Sequence, residues 1–167
     1  RLLGKTIKDV NFDVSRAGDC SIQTFSPQKM GNRKFGHRST AEQVASEIDL
    51  HGKVAIVTGP TSGIGTETVR VLAKQGAAVI LACRDVAKGD EIASRIRTET
   101  SNSNLQVLPL DLVSLASVRS FVESFKATGL PLHILINNAG VICPKSVTRD
   151  GFEMQFGVNH LGHFLLT

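Results

Sequence analysis

Hydrophobic positions divide the chain into short apolar runs separated by longer segments in which apolar residues recur with a helical period. The apolar runs predict strands buried on both faces, and the amphipathic segments predict helices that cover the sheet. The strand predictions are residues 53–59, 77–83, 105–112 and 132–140. The helix predictions are residues 64–75, 86–98, 115–127 and 151–167. Alternation at this spacing predicts an α/β fold, a doubly wound parallel sheet with right-handed crossovers.

Residues 1–38 lack this periodicity and contain many loop-forming residues. They hold eight Lys/Arg and three Asp/Glu, so the net charge of +4 originates in this N-terminal segment. Because its basic residues are scattered among acids, we expect a flexible, solvated extension. The alternatives are a transit peptide and a basic arm that contacts nucleic acid or anionic lipid. A short helix is predicted to follow, with Ser39 and Glu42 as its capping box.

The composition, 41% apolar and 20% charged, is typical of a globular protein, and the longest apolar run (residues 77–83) is too short to span a bilayer. The chain begins at Arg1 and stops at Thr167 inside a predicted helix, so we expect residues 39–167 to be the N-terminal part of a longer domain. The expected location is cytoplasmic, or at a membrane through segments absent here. Three cysteines without CxxC spacing fit a reducing compartment and predict no metal site.

The stretch VTGPTSGIG lies between the first predicted strand and the helix that follows it. Free amides and the helix dipole at a helix N-terminus attract an anion such as pyrophosphate, provided that no Cβ blocks its approach. A P-loop is excluded because no lysine follows, and strict GxGxxG is excluded because Thr68 stands where its last glycine would be. The residues expected to hold the pyrophosphate are Gly59, Thr61, Ser62, Gly63, Ile64 and Gly65.

Each glycine of the stretch has its own expected role. Gly59 allows a tight exit from the strand, Gly63 allows the anion to approach closely, and Gly65 allows the helix to pack closely on the strand. The hydroxyl residues between them can bind the anion or cap the helix.

Four motifs in order, TGPTSGIG, LDL, NNAG and VNHLGHFLLT, resemble those of the short-chain dehydrogenase/reductase superfamily, classical branch. The resemblance runs from about Gly52 to Thr167. Within the superfamily, VILACRD and NHLGHFLLT resemble the retinol dehydrogenase and WW-domain-containing oxidoreductase branch. The resemblance implies a Rossmann dinucleotide-binding domain, incomplete in this chain. It also implies an enzyme that interconverts carbonyls and alcohols by hydride transfer at a nicotinamide cofactor.

Arg84, just past the second predicted strand, indicates which nucleotide binds. An acid at this point would bond the adenosine ribose hydroxyls, whereas an arginine can bind a 2′-phosphate. The last residue of the strand is Cys83, which cannot make the bonds of an acid. We therefore expect NADP(H) rather than NAD(H). The alternative is that Arg84 pairs with its neighbour Asp85.

The LDL motif, at the end of the third predicted strand, resembles the adenine side of the family's cofactor site. By resemblance, Asp111 accepts a hydrogen bond from the adenine amino group, with Leu112 beside it. The alternative role for Asp111 is to cap the next helix, and Ser114 competes for that role.

By resemblance, Asn138, Ala139 and Gly140 form the end of the fourth strand. Small residues there let the cofactor ribose pass, and an asparagine side chain ties neighbouring strands together. Asn159 matches the family's helix asparagine, whose backbone holds a water in the catalytic proton relay. We therefore assign a catalytic role to Asn159.

The resemblance also implies a tyrosine as general acid/base, a lysine that lowers its pKa and a serine that orients the carbonyl. The chain contains no tyrosine, so we expect activity from the full-length protein and not from this chain alone. The alternative function is a non-catalytic NADP(H)-binding or scaffold module. The expected partners are a small carbonyl or alcohol substrate, retinoid or steroid-like, and a second copy of the full-length protein, but no nucleic acid.

Overall fold

The computed structural model describes residues 35–167, so the predicted flexible segment lies almost entirely outside the described residues. The strands are β1 (Val54–Thr58), β2 (Ala78–Cys83), β3 (Leu105–Pro109) and β4 (Ile134–Ile136). The helical elements are α1 (Ala41–Ala45), α2 (Gly63–Lys74), α3 (Val86–Thr100), α4 (Leu115–Ala127), α5 (Met154–Phe156), a π-helical segment (Gly157–Gly162) and α6 (His163–Leu166). All strand pairs are parallel and their order is β3-β2-β1-β4. The predicted doubly wound α/β fold is confirmed.

The sheet has an apolar core on each face because successive strand side chains point to opposite sides. On one face, Ile56 of β1 belongs to a buried cluster with Phe121 of α4. On the other face, Val57 belongs to a buried cluster with Val69 of α2 and Ile96 of α3. All five residues of β1 are buried, which explains why this strand appears in the sequence as a continuous apolar run.

Two strands end earlier than predicted. β3 stops at Pro109 and β4 stops at Ile136, so the predicted strand residues 110–112 and 137–140 lie in loops. These loops leave the carboxyl ends of the strands, where ligands bind in open parallel sheets. The polar residues of the LDL and NNAG motifs therefore lie in loops at the carboxyl ends of the strands and not within the sheet.

The capping box of the first helix lies one residue later than predicted. Thr40 is the N-cap of α1: its side chain accepts a bond from Gln43 N, and Gln43 Oε1 accepts one from Thr40 N. The prediction of Ser39 and Glu42 is therefore wrong. Glu42 instead contacts Arg70 and Lys74 of α2.

The helix predicted for residues 151–167 is observed without a break over residues 154–166, but it is not uniform. α5 begins three residues later than predicted, at Met154, with Glu153 as its N-cap. The chain then widens into the π-helical segment before α6. Glycines at both ends of that segment permit close packing: a Cβ on Gly162 would lie 3.1 Å from the Leu112 carbonyl oxygen.

Across residues 35–167, the helices are too short or too polar for any of them to cross a membrane.

Candidate functional site

A cavity of about 550 Å³ opens at the carboxyl ends of the four strands. All twelve residues predicted to bind the cofactor lie on its wall. They are Gly59, Thr61, Ser62, Gly63, Ile64, Gly65, Arg84, Asp111, Leu112, Asn138, Ala139 and Gly140. The structure thus brings together four sequence segments that are separated by up to about 80 residues.

The glycine loop is shaped by two close contacts and one open position. Gly59 has φ +63°, and a Cβ there would lie 2.9 Å from the Ala139 Cα atom. A Cβ on Gly65 would overlap the Gly59 carbonyl oxygen and lie 2.6 Å from Asn138 Nδ2. Gly63 has φ +53° and no atom within 4 Å of its Cβ position. The loop is therefore packed against its neighbours at Gly59 and Gly65 and open to the cavity at Gly63.

The first turn of α2 faces the cavity beside this opening. The side chain of its N-cap, Ser62, makes no capping hydrogen bond to the described residues that follow it. The first amides of a helix have no partner within it and carry partial positive charge. The position can therefore hold an anion.

The end of β1 is tied to the loop after β4 by a polar cluster. Asn138 Nδ2 donates to the Thr58 carbonyl oxygen at 2.9 Å and to the Gly59 carbonyl oxygen at 3.2 Å. The Ala139 amide donates to Thr58 Oγ1 at 2.9 Å. Asn138 is thus the asparagine that joins the two strands, and its side chain is used structurally.

Two cationic side chains lie on the cavity wall near the end of β2: Arg84, just after the strand, and Lys88, in the first turn of α3. Arg84 and Lys88 are both exposed, and among the described residues neither side chain has an ion-pair partner. Asp85 does not pair with Arg84; it is the N-cap of α3 and accepts a bond from the Lys88 amide at 3.0 Å. The alternative proposed for Arg84 is therefore not observed.

Lys88 was missed in the sequence, although a basic residue in the first turn of the predicted helix after Arg84 was available as a signal. Cys83, the last residue of β2, also lines the cavity. Burial, with Asp85 and Asp90 as lesser causes, raises the pKa of the Cys83 thiol to about 11, so this position carries no negative charge near neutral pH.

Asp111 follows β3, the strand that pairs with β2, and lies half-buried on the cavity wall. Its Oδ1 atom accepts a bond from the Val113 amide at 3.1 Å, and its Oδ2 atom lies 3.3 Å from Arg149 Nη2. Ser114 is the N-cap of α4, accepting from the Ser117 amide. The helix-capping role considered for Asp111 therefore belongs to Ser114, and the Asp111 carboxylate retains free acceptor positions.

Asn159 lies in the π-helical segment and does not line the cavity. Its side chain holds the backbone of Val141: Oδ1 accepts from the Val141 amide at 2.8 Å, and Nδ2 donates to its carbonyl at 2.9 Å. Val141 itself lines the cavity. The Asn159 side chain therefore positions the loop after β4 and leaves only the backbone for the predicted catalytic role.

A buried histidine joins Asn159 to β1. His163 is 6% exposed; its Nδ1 atom lies 3.2 Å from the Asn159 carbonyl oxygen and its Nε2 atom 2.9 Å from Thr58 Oγ1. Because a carbonyl only accepts, Nδ1 carries the proton, and in the neutral ring Nε2 accepts from the Thr58 hydroxyl. Thr58 and Asn159 lie about 100 residues apart, so no sequence pattern reveals this link.

Metal ligands are not clustered in the part of the chain that the structure describes: no group of three His, Cys, Asp or Glu side chains is placed to hold an ion.

Comparisons with known proteins agree with the geometry. A family model described as short chain dehydrogenase matches residues 53–167. Retinol dehydrogenase 12 from Homo sapiens is 57% identical over 123 residues, which are 73% of this chain and 39% of that protein. The chain thus spans about two fifths of the length of this relative. The resemblance to the retinol dehydrogenase-like branch is confirmed.

Solved structures similar to this chain include complexes with NADP and with NADH. A metagenomic short-chain oxidoreductase in complex with NADP is 29% identical, with a TM-score of 0.61, over 70% of this chain and 54% of its own. The 3-ketoacyl-(acyl-carrier-protein) reductase from Brucella melitensis, complexed with NADH, is 31% identical, with a TM-score of 0.59, over 71% of this chain and 48% of its own.

Proposed function

Since the chain belongs to the short-chain dehydrogenase family, we propose that it is the cofactor-binding portion of an NADP(H)-dependent oxidoreductase that interconverts a carbonyl and an alcohol. One observation carries the proposal: a single cavity joins all twelve residues assigned to the cofactor site. The nicotinamide supplies the hydride acceptor or donor when it is bound. The described residues bind and orient it.

The pyrophosphate of the cofactor is proposed to bind at the glycine loop. Gly63 leaves open the space that a Cβ would occupy, and the first residues of α2 line the cavity, so their free amides are available to an anion. Gly59 and Gly65 are packed against Ala139 and against each other, so the loop cannot collapse into that space. A preformed, positively polarised cradle favours a diphosphate over an uncharged ligand.

The preference for NADP(H) rests on charge at the end of β2. An acid that would bond free ribose hydroxyls is absent at Cys83, whose thiol is neutral, and two exposed cations lie beside it. Arg84 and Lys88 together can bind a 2′-phosphate with charge-assisted bonds. NAD(H) carries no such phosphate and gains nothing from either cation.

Asn159 is proposed to act through its carbonyl. A carbonyl oxygen has two lone pairs, and the bond from His163 Nδ1 uses one of them. The other can hold a water, as the proposed proton relay requires. The exchanged proton would belong to a tyrosine that the printed sequence lacks, so catalysis is proposed for the full-length protein.

A retinoid or steroid-like alcohol is the proposed substrate class, supported by the similarity to retinol dehydrogenase 12. The full-length enzyme is proposed to form a homo-oligomer and to reside in the cytoplasm or at a membrane. A second candidate function is a non-catalytic NADP(H)-binding module, which would apply if the full-length protein lacks the tyrosine and lysine pair. Oxidation of an added alcohol with NADP, by the full-length protein, would support the enzyme over the module.

The first test is titration of the purified protein with NADPH and with NADH, monitored by nicotinamide fluorescence. We expect Arg84→Ala to weaken NADPH binding about tenfold or more, because a charge-assisted bond contributes roughly 1.5–3 kcal/mol. NADH binding should change little. Lys88→Ala should act in the same direction.

Arg119→Ala is the matched control, because Arg119 is exposed on α4 and does not line the cavity. It should leave both affinities unchanged. Failure of a folded sample to bind either nucleotide would refute the cofactor assignment.

A further inference from the structure

Two adjacent residues after β4 hold the segment that contains Asp111. The Arg149 amide donates to the Val113 carbonyl oxygen at 3.2 Å. Asp150 Oδ2 accepts from the Leu115 amide, at the start of α4, at 2.8 Å. The Arg149 guanidinium in turn faces the Asp111 carboxylate. Residues 149–150, here called the clamp, thus contact residues 111–115 at three points.

The clamp has a fixed backbone of its own. An isolated bridge pairs Val147 with Glu153, and the chain turns between them with Gly151 at φ +83°. The Thr148 side chain is buried beneath the turn and accepts from the Phe152 amide at 3.1 Å. The clamp is therefore held in place independently of the Arg149 side chain.

Both oxygens of the Asp111 carboxylate have a partner. Val113 N holds one oxygen and Arg149 Nη2 faces the other, so rotation about the Cβ–Cγ bond is opposed at both atoms. The Asp111 side chain is 23% exposed and lies on the cavity wall, whereas Arg149 is 71% exposed. An exposed ion pair contributes little to stability.

We propose that Arg149 is a positioning residue that orients the Asp111 carboxylate to accept a hydrogen bond from the adenine amino group. This inference rests on the proposed cofactor function. The carboxylate has about four acceptor sites, of which two are used by Val113 and Arg149, so an amino group can be accepted in addition. Without the guanidinium the carboxylate turns toward solvent, and the bond to adenine is weakened.

The test compares NADPH with reduced nicotinamide hypoxanthine dinucleotide phosphate, in which a carbonyl replaces the adenine amino group. The ratio of the two dissociation constants measures the contribution of that amino group. We expect wild type to prefer NADPH and Arg149→Ala to reduce the preference about threefold to tenfold, as for coupled neighbouring groups. The alanine variant retains the backbone bond from residue 149 to Val113, so the clamp itself persists.

Three further variants separate positioning from general damage. Asp111→Ala should abolish the preference, and adding Arg149→Ala to it should have no further effect on the ratio. Arg149→Lys, which keeps the charge, should restore part of the preference. Arg119→Ala, the same change at an exposed arginine of α4, should leave the ratio unaltered.

The possible results distinguish the positioning role of Arg149 from the proposed cofactor function on which it rests. An Arg149→Ala ratio equal to that of wild type, or larger, would overturn the positioning role even if NADPH binds normally. Equal weakening of both nucleotides by that variant would also overturn it, because a merely structural contact does not sense the amino group. No binding of either nucleotide by folded wild type would overturn the proposed function together with this inference.

Discussion

Gly65 has no room for a side chain, because a Cβ would overlap the Gly59 carbonyl oxygen and crowd Asn138 Nδ2. Backbone atoms cannot move aside as a flexible side chain can. We therefore expect Gly65→Ala to lower the free energy of unfolding by about 3 kcal/mol or more. Chemical denaturation in urea measures this change.

The control for that prediction is Gly129→Ala. Gly129 has φ +68° but no atom within 4 Å of its Cβ position. Only the left-handed backbone conformation then costs energy, about 1–2 kcal/mol. Equal destabilisation by the two substitutions would show that the close approach of α2 to β1 does not constrain residue 65.

Residues of the site were predictable where a local motif dictates them and not where distant segments meet. Gly59 and Gly65 follow from the strand–loop–helix context, since the backbone itself needs their shape there. Arg149 contacts Asp111 across 38 residues of sequence, and His163 contacts Thr58 across 105. No periodicity or spacing encodes such contacts, because they are set by the way that the elements pack.

At the scale of elements, Arg70 connects three helices. It bonds Glu67 of its own helix α2 at 2.7 and 2.8 Å, Glu42 of α1 at 3.0 Å and Glu99 of α3 at 3.1 Å. Its side chain is 17% exposed. These carboxylates, Glu67 foremost, raise the pKa of Arg70, so it stays charged under all ordinary conditions. Because α1 has five residues and no buried one, this cluster is a main anchor of α1.

We expect Arg70→Gln to lower the free energy of unfolding by about 1–2 kcal/mol at neutral pH, and to free α1 first. Hydrogen exchange of the α1 amides and urea denaturation both report this. Arg95→Gln, at an exposed arginine of α3, is the control and should change neither measurement. Unchanged protection of α1 in Arg70→Gln would contradict the anchoring role.

The same cluster gives α1 a pH dependence. Lys74, followed by Arg70, lowers the pKa of Glu42, and Arg70 lowers the pKa of Glu67. A carboxyl group whose pKa is lowered in the folded state stabilises that state at pH values above the ordinary glutamate pKa. This stabilisation is lost as the pH falls through the lowered pKa. The difference in the free energy of unfolding between wild type and Arg70→Gln should therefore become smaller in acid, below about pH 4.

Strands that are buried along nearly their whole length were predicted accurately, and elements with mixed burial were predicted less accurately. β1 and β2, apolar on both faces, lie within one residue of the prediction at each end. The helix predicted for residues 151–167 is present over residues 154–166, but its π-helical segment was not predicted, because hydrophobic spacing does not distinguish an α-helix from a π-helical segment. The N-cap of α1 moved by one residue because Ser39 and Thr40 can both serve, and only geometry selects between them.

At the scale of the whole molecule, the sheet order is β3-β2-β1-β4, with β2 and β4 on the two sides of β1. The order places β1 and β2 in the interior and leaves the short strand β4 at one edge. Within the described residues, β4 pairs only with β1. Its three residues are half-buried, whereas those of β1 are fully buried. This edge of the sheet is therefore apolar and, among the described residues, its outer side has no strand partner.

An edge of this kind favours pairing between copies of the chain. We expect the isolated 167-residue chain to melt over a broad range, to aggregate more at higher concentration and to be only marginally stable. Circular dichroism with light scattering measures all three. Leu132→Lys, at a position 45% exposed just before β4, should slow aggregation with little change in melting temperature, because a charge at a strand edge opposes pairing but removes no core contact. A sharp, concentration-independent melt of the monomer would instead show that β4 is adequately protected by the residues already present.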